Sequence, residues 1–502
     1  MDEKISDLST PPETGVPVSE LKPNRCRESF SWMNKITVEP LMFFYMFAFM
    51  LTSVVEQAFF VDKACRVNKG YPDAVCLDLH KKENEEMKKA VQIVVSNFHQ
   101  YNQIASHAVP IVLALFLGSW SDRRGRKLII LMGLAGKLFY SVMIVVNALQ
   151  GNWALEVVLA TASFPSAITG ADLAIFAGVF SYLSDITTQK ERTFRVAVLD
   201  IVYLSTMPTG VALGKYLYAG VAQKSFAIMF TINACLLVIA MLFAIWRLEW
   251  QTTPKQEPLL GSSVNCCSDF FDKEHVIQSV KSVIKKRPGN RRLYLIFLLI
   301  AMLLYTFQRD EKPMTYLYTQ LKFEWTAEIY SDFKTFQSGA YVLGTLLGIP
   351  LMSKLLKLPD TVIVMVGAIS HGASRFVYGF AEVSWLFYLG ATIASLGPVV
   401  APVLRSMTSK VVPISERGKV FAILAVADNA VPLVSSTIYS QVYNASINTL
   451  PSAIFWVTLG SQVIVFILAL IIHVLIKRNP LEVTDADSQE AKRTLQGCDA
   501  EE

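Results

Sequence analysis

The sequence predicts an all-α integral membrane protein of twelve membrane-spanning helices, arranged as two six-helix halves. Three observations carry that prediction. The first is composition: 502 residues, 53% hydrophobic and only 17% charged, with mean hydropathy +0.40. A soluble domain carries about 25% charged residues, and here the charges gather in short clusters between apolar runs. The second is the runs themselves, which reach the roughly 20 residues needed to cross the hydrocarbon core. The third is an internal echo, "ERTFRVA" (191–197) after the fourth run and "ERGKVFA" (416–422) after the tenth.

In order, the predicted spans lie near 38–60, 96–119, 127–148, 154–183, 196–219 and 224–247, then 293–311, 334–353, 361–380, 384–409, 420–442 and 453–476. This divides the chain into an N-terminal tail (1–35), a first six-span half (36–247), a central loop (248–292), a second half (293–476) and a C-terminal tail (477–502). The polar, Pro-rich N-terminus is no cleavable signal peptide, so the first span serves as signal anchor. In the central loop, "VIQSVKSVIKKR" sets Val276, Val280 and Val283 opposite lysines, the pattern of a short amphipathic helix at the cytoplasmic membrane surface.

Lys and Arg crowd the tails, the 118–127 turn, "TTQKERTFR", the central loop and "SKVVPISERGKVF", whereas "LQGNW" and "GFAEVSW" lack them. Positive residues mark the cytoplasmic side, so both termini are expected in the cytoplasm. The sequon at Asn444 then falls on the outer side, as an expected glycosylation site. Cys65 and Cys76 share the polar loop after span one, where a local disulfide fits an outward-facing loop. Cys266 and Cys267 read as free thiols before palmitoylation sites, and Cys235 as packing.

The polar turn "GSWSDRRGRK" between spans two and three holds the pattern G-x-x-x-D-R-x-G-R-K through Gly118, Asp122, Gly125, Arg126 and Lys127. Gly118 allows close helix contact, Gly125 supplies a permissive turn residue, and Asp122 suits a helix N-terminus or an arginine of another span. The turn resembles the signature of the major facilitator superfamily, as do the span count and parallel six-span repeat. The resemblance implies a conformational latch closing the cytoplasmic side in one state; the plainer reading is a solvated turn that sets topology. With "TVEPLMFFY", "SDITTQKERTFRVAVLD" and "PVLRSMTSKVV", most of the chain between about residues 35 and 476 resembles solute carrier family 46, the relatives of the proton-coupled folate transporter, least in the first external loop and the central loop. That resemblance implies uptake of organic anions such as folates, conjugates or peptidoglycan-derived solutes, with basic residues facing a central cavity. The folate-transporting pattern has a histidine in span seven; this chain has none there.

Ionisable groups at membrane depth usually face a cavity or a partner. Arg405 matches the family's arginine in span ten and is the first candidate to contact a substrate anion or a coupling carboxylate; bridging two helices is the alternative. Arg375 is a second cationic contact or a snorkelling side chain, and Tyr203 and Tyr341 are stacking or packing groups. Asp200, where the family carries an acidic residue, is a proton-coupling candidate, because carboxylates in a low dielectric hold protons more readily. Asp172 joins it, or else holds span four to a neighbouring arginine. His107 titrates in the useful range but in most spans would be a packing group, as would His371. Arg309, Asp310 and Glu311 end span seven as an outer gate or a solvated mouth.

No phosphate-binding Gly-Lys loop, zinc-spaced Cys or His pair or nucleophilic triad appears, so the chain reads as a non-enzyme without cofactor or metal. Its expected partners are a small organic anion, protons and the lipid bilayer; the basic loops fit topology rather than nucleic acid. Two functions fit: a proton-coupled secondary transporter working by alternating access, in the plasma membrane or the lysosome, or a transporter-shaped receptor or scaffold.

Overall fold

The computed structural model describes residues 36–254, 256–257, 270, 291–412 and 414–478, with the side chains of residues 119, 189, 190, 193, 414–419 and 422 outside that description. The tails, Cys266, Cys267 and the amphipathic central segment lie outside the described residues. The described residues from Val38 onward form one unit. Its long helices are α1 Glu39–Lys63, α2 Glu85–Arg124, α3 Arg126–Leu149, α4 Leu159–Asp185, α5 Gln189–Tyr216, α6 Phe226–Arg247, α7 Arg291–Phe323, α8 Ala327–Pro350, α9 Asp360–Gly379, α10 Ser384–Val411, α11 Ile414–Ser446 and α12 Ala453–Arg478.

These helices are the predicted twelve-span architecture. Eleven are long and apolar enough to cross a membrane by composition alone. The remaining one, α8, opens on Glu328, Asp332 and Lys334 and runs 24 residues, so its polar start hides its length; apolar patterning begins only at the predicted residue 334. Local chemistry sets the starts. Glu39 and Pro40 open α1, where an acidic residue meets the helix dipole and Pro forfeits no bond. Thr188 caps α5 by accepting from the Glu191 amide, and Thr326 caps α8 by accepting from Ile329.

Only Gly125 separates α2 from α3. Its φ of +96° lies where L-residues are strained, and a Cβ there would come within 2.3 Å of the Trp250 carbonyl oxygen. The sequence therefore needs glycine at this turn.

In the first half α1 packs on α5 and α6, and α3 on α4 and α6; in the second, α9 and α7 pack on α12, and α8 on the middle of α10. Two pairs make most of the contact between the halves, α2 with α11 and α5 with α8, and α2 also meets the second part of α7 and α1 meets α8. The hydrogen bonds across these seams follow one stripe of α2. Lys88 donates to the Gln320 carbonyl at 3.4 Å, and Gln92 to the Leu317 carbonyl at 2.9 Å. Ser440 donates to the Ser96 carbonyl at 2.9 Å, Gln441 to Gln100 at 2.8 Å, and Gln103 to Asp310 at 3.0 Å. Lys215–Asp332 at 2.6 Å and Lys224–Glu328 at 3.1 Å tie α5 and the loop after it to α8.

All of these contacts lie from mid-depth toward the face that carries the Cys65–Cys76 disulfide. Between described residues, no hydrogen bond or ion pair joins the halves from Gln103–Asp310 toward the opposite face, that of the Gly125 turn. There Asp200 and Arg405 are exposed, and a Cβ on Gly118 would meet nothing within 4 Å. Among the described residues, polar contacts join the halves at the disulfide face and none joins them at the turn face.

Candidate functional site

Two helix breaks place carboxylates at membrane depth. In α4, Gly170 at φ +80° ends one helical piece, and a new helix starts at Ala171. Asp172 thus sits in the first turn of a half-helix, where the dipole favours negative charge. Its partners come from two other spans: Lys137 of α3 at 3.0 Å and the Tyr45 hydroxyl of α1, which donates to it. The expected arginine partner is a lysine. One neighbouring carboxylate, Glu56 of α1, accepts from Tyr140 instead of pairing with a cation at contact distance.

In α7 a 3-10 turn, Gln308–Asp310, breaks the helix before Glu311–Phe323. The span therefore does not end at Arg309–Asp310–Glu311, as the sequence suggested, but continues another 13 residues inward of the disulfide face. Asp310 is 4% exposed and Glu311 3%, so these carboxylates form no solvated mouth; only Arg309 is exposed. Burial is tolerable because each is satisfied. Asp310 accepts from Gln103 and Ser435. Glu311 binds Arg375 through both oxygens, at 3.2 Å each, and accepts from Thr458.

This pairing also corrects the reading of Arg375. It neither snorkels nor reaches freely into the cavity: it is 5% exposed, locked to Glu311, and donates to His371 Nδ1 at 3.0 Å. Because Nδ1 accepts, His371 carries its proton on Nε2, which is buried without a partner. Tyr305 and Tyr341 set their rings edge-on to His371 at 5.8 and 6.1 Å. Tyr341 thus packs beside this network, while Tyr203 packs edge-on to Phe176 at 6.0 Å.

The remaining candidates lie between the halves. Arg405 of α10, with 53% of its side chain exposed, approaches Asp428 of α11 at 3.8 Å, while Asp428 accepts from Thr306 at 3.1 Å. Across the gap, Asp200 and Tyr203 of α5 lie within electrostatic reach of Arg405. His107 of α2 lies within reach of Asp172, Lys137 and Arg309, with its Nδ1 on the Gln103 carbonyl at 3.0 Å. The structure therefore gathers Asp200, Arg405, Asp428 and Tyr203 into one group, and His107, Asp172 and Arg309 into its neighbour. Lys137, Glu56 and Lys334 escaped the sequence reading; Lys137 and Glu56 are lone charges inside the apolar runs "GLAGKLFY" and "SVVEQAFF", the signal that could have found them, whereas Lys334 follows Asp332 in the polar start "SDFKTF".

The polar turn is tied to its own half. Arg126 pairs with Asp122 and, at 3.0 Å, with Asp185 at the end of α4. Lys127 donates to the carbonyls of Ile245 and Leu248, each at 2.7 Å, and lies over the Trp250 ring. Thr252 and Gln256 of the central loop close on Asp185 at 3.0 and 3.2 Å. Asp122 thus meets an arginine of the next helix rather than of a distant span, and the close contact expected at Gly118 is not made: a Cβ there would meet nothing within 4 Å.

Cys65 and Cys76 are bonded. Asn444 does not lie in a loop: it occupies the last turn of α11, and its amide nitrogen, the atom an N-glycan would take, donates to Asn97 of α2 at 2.7 Å. That contact conflicts with the expected glycosylation. Among the described residues no His, Cys, Asp and Glu cluster could hold a metal ion.

The family model of the Major Facilitator Superfamily matches residues 102–339 and 328–497. Among curated relatives, the probable peptidoglycan muropeptide transporter SLC46 of Drosophila melanogaster is 25% identical over 434 residues, 82% of this chain and 81% of that protein. The lysosomal proton-coupled steroid conjugate and bile acid symporter SLC46A3 of Gallus gallus is 26% identical, covering 82% of this chain and 88% of that protein. The proton-coupled folate transporter of Rattus norvegicus is 26% identical, covering 78% and 81%. Among solved structures, the human organic anion transporter MFSD10 matches 86% of this chain and 97% of its own at TM-score 0.60 and 14% identity. A D-xylose–proton symporter matches 88% and 97% at TM-score 0.61 and 14% identity, which supports the fold alone. The chain belongs to the major facilitator superfamily.

Proposed function

We propose that this protein is a secondary active transporter of organic anions, proton-coupled, working by alternating access. The observation that carries the reading is the charge between the halves: on the side where no described polar contact joins them, Arg405 and Arg309 stand exposed in apolar spans within electrostatic reach of Asp200 and Asp428. Cations in a low-dielectric cleft favour an anionic solute. Arg405 binds the anion, Asp200 and Asp172 carry protons with His107 beside them, and the Gly118–Lys127 turn closes the open face in the alternate state. In that state Gly118 and Asp122 meet the second half.

The printed names of the relatives, transporters of muropeptides, steroid conjugates, bile acids and folate, support organic acids as cargo. The lysosomal, proton-coupled name of one relative supports a lysosomal or plasma membrane location, and the Lys and Arg bias of the loops supports both termini in the cytoplasm. Neither nucleic acid nor cofactor enters the cycle. The test is uptake of a panel of labelled organic anions, folate and muramyl peptides included, at acid and neutral pH by cells with the protein confirmed at the surface. Accumulation of at least one solute, faster at acid pH, is expected. No accumulation of any member would overturn the reading in favour of a receptor or scaffold.

A further inference from the structure

The region around the α7 break holds more positive charge than it neutralises. Arg309 and Lys312 of α7, Lys334 of α8 and Arg375 of α9 lie within electrostatic reach of one another through Lys312. Among the described residues the carboxylates within reach of Lys312 and Lys334 are Asp310 and Glu311, and both are already engaged, Glu311 by Arg375 and Thr458 and Asp310 by Ser435 and Gln103, while Asp428 reaches only Arg309 of this group. No carboxylate among the described residues comes within ion-pair distance of Lys312 or Lys334. Lys334 has only a neutral partner, the Gln337 side-chain oxygen at 2.8 Å. Gln308, in the break itself, keeps a buried side-chain oxygen without a hydrogen-bond partner.

Uncompensated cations at membrane depth are costly, and a partner that neutralises them stabilises the arrangement. Lys312 is exposed although its neighbours Glu311 and Arg375 are buried, so its ammonium is open to a ligand. Lys334 lies about two turns into α8 from the shut face, and Arg405 about two turns from the opposite end of α10. The two cationic positions therefore occupy different depths.

We infer that Lys312 and Lys334 form a second anion subsite, deeper than Arg405, for a group carrying two negative charges on a solute that also offers a hydrogen-bond donor to Gln308. This rests on the transporter reading but is tested without transport. Two lysines, each giving up to three donors, suit a compact dianion, and Arg309 lies at its rim. The solute then spans the cavity, its dianionic end at α7 and α8 and its other end toward Arg405.

The experiment uses the purified full-length protein in detergent, with inorganic sulfate as the dianionic probe and chloride at matched ionic strength as control. Sulfate should raise the thermal midpoint of the wild-type protein above the chloride value. Lys312→Gln and Lys334→Gln should each weaken the apparent sulfate affinity roughly tenfold or more, the loss expected for one charge-assisted contact. Lys334→Arg, which keeps the charge in case the glutamine variants do not fold, should retain the sulfate response. Equal stabilisation by sulfate and chloride would overturn the subsite, as would glutamine variants that bind sulfate like the wild type. Failure of the transporter reading is separate: it shows as absent solute uptake by a wild-type protein that still responds to sulfate.

Discussion

Arg405→Ala abolishes uptake, lowering kcat/KM by roughly a hundredfold or more, while the protein still reaches its membrane. The expectation follows from where the guanidinium sits. About half of its side chain is open to the cavity, its contact with Asp428 is long at 3.8 Å, and Asp428 has a second partner in Thr306. Removing the side chain breaks only a long contact, and Asp428, more exposed than Glu311, keeps Thr306, so folding is spared. What is lost is a fixed cation facing Asp200 across the gap, in a cleft where an ion-dipole or ion-ion contact counts for more than in bulk water. Arg405→Lys should recover only part of the rate, because an ammonium keeps the charge but not the planar pair of donors. The measurement is initial uptake rate against solute concentration, normalised to surface protein. Wild-type kinetics in Arg405→Ala would make the residue a strut between α10 and α11.

The second large effect is on stability. Glu311→Gln or Arg375→Met, made singly, should each destabilise the protein by about 3–5 kcal/mol, whereas the double variant should lie much nearer the wild type. Glu311 and Arg375 are almost fully buried and face each other through two contacts at 3.2 Å. Each single change strands a charge in low dielectric; the double change removes both charges together. The pair also gathers Thr458 of α12 and His371 of α9, so it links α7, α9 and α12 at the level where the halves meet. Thermal midpoints of the purified variants in one detergent give the comparison. Additive losses in the double variant would contradict a coupled pair.

How much of this was legible in the sequence depended on range. Helix positions followed from apolar runs, and the turn at Gly125 from its spacing, because both are local patterns. The α7 break was misread as a span end because four successive charges there look like solvent. Their partners, Arg375, Ser435 and Thr458, lie far along the chain, where no periodicity points. Local cues to the breaks existed all the same, Gly170 in α4 and Pro313 just after the α7 turn. Asn444 was misplaced for a related reason: the apolar pattern of α11 fades near residue 442, but the helix persists through polar contacts with α2. Arg375 read as a substrate contact because a lone arginine in a span shows its charge and not its partner.

The central claim is transport driven by an ion gradient through a cavity open to one face at a time. It is tested most directly by the purified protein in proteoliposomes, with labelled organic anions outside and an imposed pH gradient, acid outside. The account predicts accumulation of solute above its external concentration, collapse of that accumulation when a protonophore dissipates the gradient, and none with Arg405→Ala. Solute that never exceeds its external concentration for any member of the panel, with wild-type protein shown to be inserted and folded, would contradict it.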